Sequence, residues 1–274
     1  MFNYKRLLVC LVIGLLCLGT APAAQAEEVN LWISYYFTGW QNYDAGFYTN
    51  SETLETQGLD ESQAAFREAD TLDALGMSQT ALGKYSEAED AFQQALCLRE
   101  THCGPRSRFV PMTLNNLGDL HYVAGDREKC EGLYRRALDI HDSDQLNIEV
   151  CRALNGMALL HNDKGEKVEA ENLLKRSMKI HEKAGRRQHP YMATNMVNLA
   201  LLYIESGKLH EAKELLKHAE FIQNETVGTE HPDVAIRLHA YANLMVAMGK
   251  SEKARTAQDE ANAIQAKFQQ INAN

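Results

Sequence analysis

Five glycines, Gly83, Gly125, Gly165, Gly207 and Gly249, stand 42, 40, 42 and 42 residues apart. A small residue recurs seven positions before each of them (Gly76, Gly118, Ala158, Ala200, Ala242). A second column lies five positions after (Ala88, Cys130, Ala170, Ala212, Ala254), and a third twelve after (Ala95, Ala137, Ser177, Ala219, Ala261). Coincident columns at such a step mark an internal repeat, and repeats of this length stack as helical units that bury apolar surface between neighbours. One elongated all-α domain is the expectation.

Within a copy the apolar and small residues fall at helical spacing in two runs. In the second copy Leu114, Leu117, Gly118 and His121 form one stripe, Ala124-Gly125-Asp126 interrupts it, and Cys130, Leu133, Tyr134, Ala137 and Leu138 form the next. This pattern predicts two antiparallel helices joined by a glycine turn. Gly76 and Gly118 fall inside predicted helices, where glycine costs about 0.5–1 kcal/mol relative to alanine; their missing side chains are expected to let two helix backbones approach closely. Pro105, Pro111, Pro190 and Pro232 fall between copies or in a first helical turn, where they break nothing.

Leu75-Gly76, Gly83-x-Tyr85-x-x-Ala88, Phe92 and Ala95 in the first copy, with Leu117-Gly118, Gly125, Tyr134 and Ala137 in the second, resemble the tetratricopeptide-repeat pattern. The step near 42, with Leu114-Asn115-Asn116-Leu117, Asn198-Leu199-Ala200 and the dipeptides His189-Pro190 and His231-Pro232, is similar to the kinesin-light-chain subtype. The resemblance implies a right-handed α-solenoid of about five helix pairs. The array would cover residues 67–267, with repeats near 69–108, 109–148, 149–190, 191–232 and 233–267 and a tail over 268–274. The sequence departs from the pattern where Arg127, Lys167, Leu209 and Ser251 replace the aromatic of Tyr85. Gln258 stands where earlier copies carry Phe92, Tyr134, Leu174 and Leu216, and a polar final unit suits an end that meets water.

Residues 1–26 read as a leader: Lys5 and Arg6 precede an apolar run from Leu7 to Leu18, and Ala24-Gln25-Ala26 supplies the small residues of a cleavage site. Export to a periplasm or the exterior, without stable membrane insertion after cleavage, is expected. Removing the leader takes the formal net charge from −9 to −11. The excess is concentrated in residues 27–73, which hold ten acids and one base, Arg67. Nucleic acid is a poor partner for such a chain, since backbone affinity comes from clustered Lys and Arg. Residues 27–66 are also aromatic-rich, with Trp32, Tyr35, Tyr36, Phe37, Trp40, Tyr43, Phe47 and Tyr48 inside 17 residues. They read as a capping segment over the open end of the stack or as an aromatic patch for a partner or a second copy.

The resemblance implies a concave groove lined by the first helix of each copy, binding an extended peptide or a partner segment. Carried over column by column, the lining residues are Asp73, Asn115, Asn155 and His239 in one row and Met77, Asp119, Leu159, Leu201 and Asn243 in the next. Tyr122 and Asn162 belong to a third row, with Asn198 and Glu205 beside them. Asn115 and Asn155 are the leading candidates, because an amide offers both donor and acceptor to a peptide backbone. Asp119, Asn162 and Glu205 would make the groove polar and partly acidic.

No nucleophile elbow, phosphate loop or activated cysteine is present, so no catalytic residue and no cofactor is assigned. The ten histidines fall largely into repeat columns and none pairs at His-x-x-x-His spacing, so no metal is assigned. Of the four cysteines after the leader, Cys130 begins a second helix, about 18 Å from the end of the stack that carries the others, and is expected free and buried. Cys97 with Cys103 is the expected disulfide, a reduced pair the alternative. A non-enzymatic, exported protein-interaction scaffold follows, with self-assembly through the aromatic segment as the second reading.

Overall fold

The computed structural model describes residues 65–140 and 147–273. The expected leader and the aromatic segment up to residue 64 lie outside them. Among the described residues are ten α-helices: α1 (Ala65–Ala81), α2 (Tyr85–Cys103), α3 (Val110–Ala124), α4 (Arg127–Ile140), α5 (Ile148–Asp163), α6 (Lys167–Lys183), α7 (Pro190–Glu205), α8 (Leu209–Thr226), α9 (Pro232–Ala247) and α10 (Ser251–Ala273). They pack as five consecutive pairs.

The glycine ladder turns each pair. All five glycines sit at φ between +71° and +87°, a region that side-chain-bearing residues enter at a cost. The N–H that follows each one bonds a carbonyl five residues back, as in Asp126 to His121 at 2.9 Å and Lys208 to Tyr203 at 2.8 Å. This satisfies the last carbonyls of each first helix. The start of the first helices has its own column eighteen residues before the glycine. Asn147, His189 and His231 are the residues just before α5, α7 and α9, and each accepts a bond from the N–H two residues on, at 2.9, 3.2 and 3.2 Å; the equivalent Ser107 accepts from Phe109 N–H at 3.4 Å, three residues before α3 begins. Asparagine and the histidine Nδ1 share only a short acceptor, which is what a helix start requires.

The small-residue columns are the packing seams. Ala88, Cys130, Ala170 and Ala212, and Ala95, Ala137, Ser177, Ala219 and Ala261, are all at most 1% exposed. Gly76 and Gly118 admit a ring and not a neighbouring backbone, which corrects the expectation. A Cβ on Gly76 would lie 2.6 Å from Cε1 of Phe92, and one on Gly118 would lie 2.5 Å from Cε1 of Tyr134. Where the second helix instead carries Leu174 or Leu216, the first carries Ala158 or Ala200.

Curvature follows from unequal packing on the two sides. Successive first helices approach each other (α1 to α3, α3 to α5, α5 to α7, α7 to α9), whereas no two second helices do so comparably. The first helices therefore form the inner, concave layer. At the C-terminal end α10 buries Ala254, Ala257, Ala261 and Ile264 and leaves Lys253, Thr256, Glu260 and Ala263 exposed. That end faces water.

Candidate functional site: the concave face of the first helices

The inner stripe of the first helices is not the amide ladder expected from the sequence. Asn115 is fully buried, and its Nδ2 donates to the backbone oxygen of Glu149 at 2.9 Å and to Glu149 Oε2 at 2.8 Å. Asn155 and Asn198 bond each other, Nδ2 of Asn198 donating to Oδ1 of Asn155 at 2.8 Å. The equivalent bond between the first two copies runs from Asn116 to Asp73 Oδ1 at 3.0 Å, while between the second and third the donor column holds Gly156. These amides tie the first four copies together.

Asp73 is likewise removed from the groove. It is 3% exposed and accepts from Arg99 at 2.7 Å and Thr113 at 2.9 Å besides Asn116. Arg99, itself 1% exposed, also donates to Asp70 at 2.7 Å. Two carboxylates thus share one guanidinium, and burial pushes Asp70 up to about 6 against the pull of Arg99. Farther along, Arg152 joins Asn116 at 2.7 Å, Asp119 at 2.9 Å and Glu149 at 3.3 Å, and lies 5.6 Å over the ring of Tyr191. Asp119 also accepts from the Tyr134 hydroxyl at 2.5 Å. A polar spine runs through the first three copies.

The acids of the groove are neutralised in register, so the face is not acidic as expected. Asp119 meets Arg152, Asp163 meets Arg127 at 2.9 Å, and Glu205 meets Lys167 at 3.0 Å. Arg127 and Lys167 are two of the residues that replace the aromatic of Tyr85, and each reaches the end of the next first helix. Such exposed pairs contribute little stability but cancel charge. Tyr122 is half-buried, its ring 4.0 Å under the Arg127 guanidinium and its phenol pushed up by burial and by Asp163. His239 Nδ1 accepts from Gln258 at 2.9 Å.

What the concave face leaves accessible is mainly aliphatic. Leu159, Leu201 and Ile204 are half-buried on α5 and α7, Met77 is half-buried on α1, and Asn162 is half-buried beside Leu159. On α9, Ile236 is 51% and Val246 65% exposed, and Asn243 is exposed on the same stripe. The residue-by-residue reading missed Ile236 because its rows began at Asp73; the row three residues earlier, Asp70, Met112, Arg152, Thr194 and Ile236, shares the stripe at helical spacing. Arg152 was missed for the same reason.

The cysteines differ from the expected disulfide. Cys97 and Cys103 are both free and exposed on the single helix α2. Six residues of helix separate them by about 9 Å along the axis, beyond disulfide reach of about 7 Å. Cys130 is free and buried, as expected, its thiol pushed up to about 12 by burial. Cys151 is buried too and pushed up to about 11. Neither buried thiol is a nucleophile at neutral pH. Among the described residues no three His, Cys, Asp or Glu side chains converge as metal ligands, and no helix is long and apolar enough to cross a membrane.

One further cluster joins the third and fourth copies. His181 is 1% exposed, neither ring nitrogen has a hydrogen-bond partner, and its ring stacks on His189 at 5.7 Å, which in turn stacks on Tyr191 at 5.6 Å. Burial, then His189 and Arg186, push His181 down to about 4. Its ordinary value is 6.5, so on acidification the unfolded chain takes up this proton before the folded one does. The contribution to stability is constant above pH 6.5 and is lost as pH falls from there towards 4. Urea titrations at pH 7.5 and 5 should show this loss, a few kcal/mol at most, and His181→Leu should reduce it; an unchanged pH slope in that variant would assign the acid sensitivity elsewhere.

Tetratricopeptide-repeat family models match residues 69–108 and 149–225. The chain carries tetratricopeptide repeats. The 42-residue step gives its repeats a kinesin-light-chain-like form, and solved structures of that form share its fold. BtubC (BKLC) from P. vanneervenii is 16% identical, with 87% of this chain and 92% of that one covered at a TM-score of 0.59. A putative kinesin light chain of P. anserina with nearly identical TPR-like repeats is 22% identical, with 76% and 99% covered at 0.52. The Rap conjugation gene regulator of plasmid pLS20, solved in complex with the Phr* peptide, is 17% identical, with 92% and 66% covered at 0.69. At these identities the likeness is one of fold. A search of curated proteins finds no match. Within this tetratricopeptide array most polar side chains of the inner stripe serve the joints between copies, while the aliphatic ones and Asn243 face the groove.

Proposed function

We propose that this protein is an exported, non-enzymatic scaffold that holds a partner segment on the aliphatic part of its concave face, over the third to fifth repeats. The observation that carries the reading is the accessible row of Leu159, Leu201, Ile204, Ile236 and Val246 on successive first helices. Exposed aliphatic side chains collected in a concavity mark a docking surface more often than a solvated face. The Rap regulator solved with its Phr* peptide shares this fold, which supports a peptide-sized ligand. Export rests on Lys5, Arg6, the apolar run to Leu18 and Ala24-Gln25-Ala26.

A photo-crosslinking side chain at Val246 or, separately, at Lys253 on the outer face of α10 tests both parts in native cells. The expected result is a protein adduct from Val246 in the extracytoplasmic fraction, on a chain beginning at Glu27. The adduct should fall at least tenfold when Leu201→Glu and Ile236→Glu are combined, and persist in Asn155→Ala. Equal crosslinking from Lys253, or indifference to the glutamates, would reject the groove; an adduct confined to the cytoplasm would reject export.

A further inference from the structure

The chain is acidic overall, yet its cations are not spread evenly. Residues 172–187 hold six bases, Lys175, Arg176, Lys179, Lys183, Arg186 and Arg187, against one acid, Glu182. They make up the greater part of α6 and the turn after it, in the third of the five helix pairs. Ala170, Leu174, Ser177 and His181 are buried and turn inward. Helix geometry therefore turns Val168, Asn172, Arg176, Lys179 and Lys183 outward, and all five are exposed. Lys175 is engaged by Glu171 at 2.5 Å. Arg176, Lys179, Lys183 and, beyond the helix, Arg187 meet no carboxylate at ion-pair distance among the described residues. On the concave face, by contrast, Asp119, Asp163 and Glu205 each have a cation in register.

Apolar side chains stand beside this charge. Val168, on the first turn of α6, is 76% exposed, and Phe221, which occupies the column of Lys179 on the neighbouring helix α8, is 56% exposed. The flanking bases differ from those of α6. Arg135 and Arg136 on α4 are held by Glu131 and Glu100, and Lys217 on α8 lies 3.9 Å from Glu214. Unpaired positive charge is thus concentrated on one helix, with a ring on one side of it and an aliphatic group at its start.

We infer that the outward face of α6, together with Phe221, docks on an anionic phospholipid surface. Second helices form the convex layer of the array, and a convex stack meets a plane at its middle pair, which is where the cations lie. Val168 and Lys183 are 15 residues apart, so the stripe runs about 22 Å along that contact line. Long basic side chains reach headgroup phosphates while Phe221 and Val168 enter the boundary with the acyl chains, the combination that holds a helix in a membrane interface. An acidic peptide or a nucleic-acid backbone matches the charge but offers nothing comparable to the exposed ring, and a convex ridge gives an extended chain no groove. Contact of this kind is peripheral and involves no crossing of the bilayer. It depends neither on the groove reading nor on export.

Co-sedimentation of the full chain, as recovered from the cells that make it, tests this with vesicles of phosphatidylglycerol and phosphatidylcholine and with vesicles of phosphatidylcholine alone. Binding is expected to the anionic vesicles only, and to weaken as salt is raised. Arg176→Glu, Lys179→Glu and Lys183→Glu combined should lower it by at least about tenfold, since each basic side chain at such a surface strengthens partitioning several-fold. Phe221→Ser alone should weaken it several-fold. Lys250→Glu, Lys253→Glu and Arg255→Glu combined make the same change in net charge on exposed positions of the last pair and should leave most of the binding intact. The three glutamine variants serve if the glutamates unfold α6, which the helical signal reports. Equal binding to both kinds of vesicle, or indifference to the α6 substitutions, would overturn the inference. Polyglutamate or duplex DNA held through the same three residues more tightly than the vesicles would also overturn it, by assigning the stripe to another polyanion.

Discussion

Gly156→Ala is expected to destabilise the array by about 3 kcal/mol, an effect large for one methyl group. A Cβ at Gly156 would stand 2.2 Å from Cζ of Tyr134, and one at Gly118 2.5 Å from Cε1 of the same ring. Tyr134 is thus held between glycines of two successive first helices, 1% exposed, with its hydroxyl bonded to Asp119. The ring cannot retreat, because Cys130 and Ala137 pack on the same second helix in the same core. The repeat supplies its own control, since Ala158 with Leu174 and Ala200 with Leu216 fill the same joint with a methyl and a smaller side chain. Gly118→Ala combined with Tyr134→Leu should therefore cost less than the sum of the two single changes. Chemical denaturation of the four variants measures this, and additive losses would show that the ring is not what limits position 118.

Arg99→Met should cost about 3–5 kcal/mol at neutral pH, because it leaves Asp70 and Asp73 as neighbouring carboxylates without their shared cation. The loss should shrink on acidification. Asp70 is already raised to about 6 against an ordinary 3.8, and without Arg99 it rises further. The folded variant then binds protons that the unfolded chain does not yet bind, so its stability increases as pH falls through that range. The measurement is the difference in unfolding free energy between variant and wild type at pH 7.5 and pH 5. A difference independent of pH would mean that packing of the arginine stem, and not its charge, supplies the stability.

Much of this was legible in the residues. The glycine ladder located the turn inside every pair, since a left-handed position after a helix selects glycine for a local reason. The small-residue columns are the buried seams, and Cys130 lies among them as a free thiol. The dipeptides His189-Pro190 and His231-Pro232 recur in one repeat column, which the structure places at the starts of α7 and α9, with Asn147 in the same place on α5. Other residues misled. Asn115 had the right chemistry for a peptide and the right row, yet it is fully buried against Glu149. Cys97 and Cys103 were placed across a loop, but α2 continues to Cys103 and holds them apart.

The difference has one physical origin. Sequence periodicity alone determined which residues share a face within a helix, where each helix starts and turns, and that the copies stack, because those features depend on a local backbone geometry repeated five times. Whether an inner-stripe side chain faces the groove or the adjoining copy depends on the offset between neighbouring helix pairs, which is set by packing at each joint. Gly156 and Tyr134 occupy that joint between the second and third copies, where Arg152 crosses to Asn116; Asn198 and Asn155 occupy it between the third and fourth. Only the tertiary structure decided that most of the polar residues are consumed there and that aliphatic ones, Ile236 among them, are left accessible.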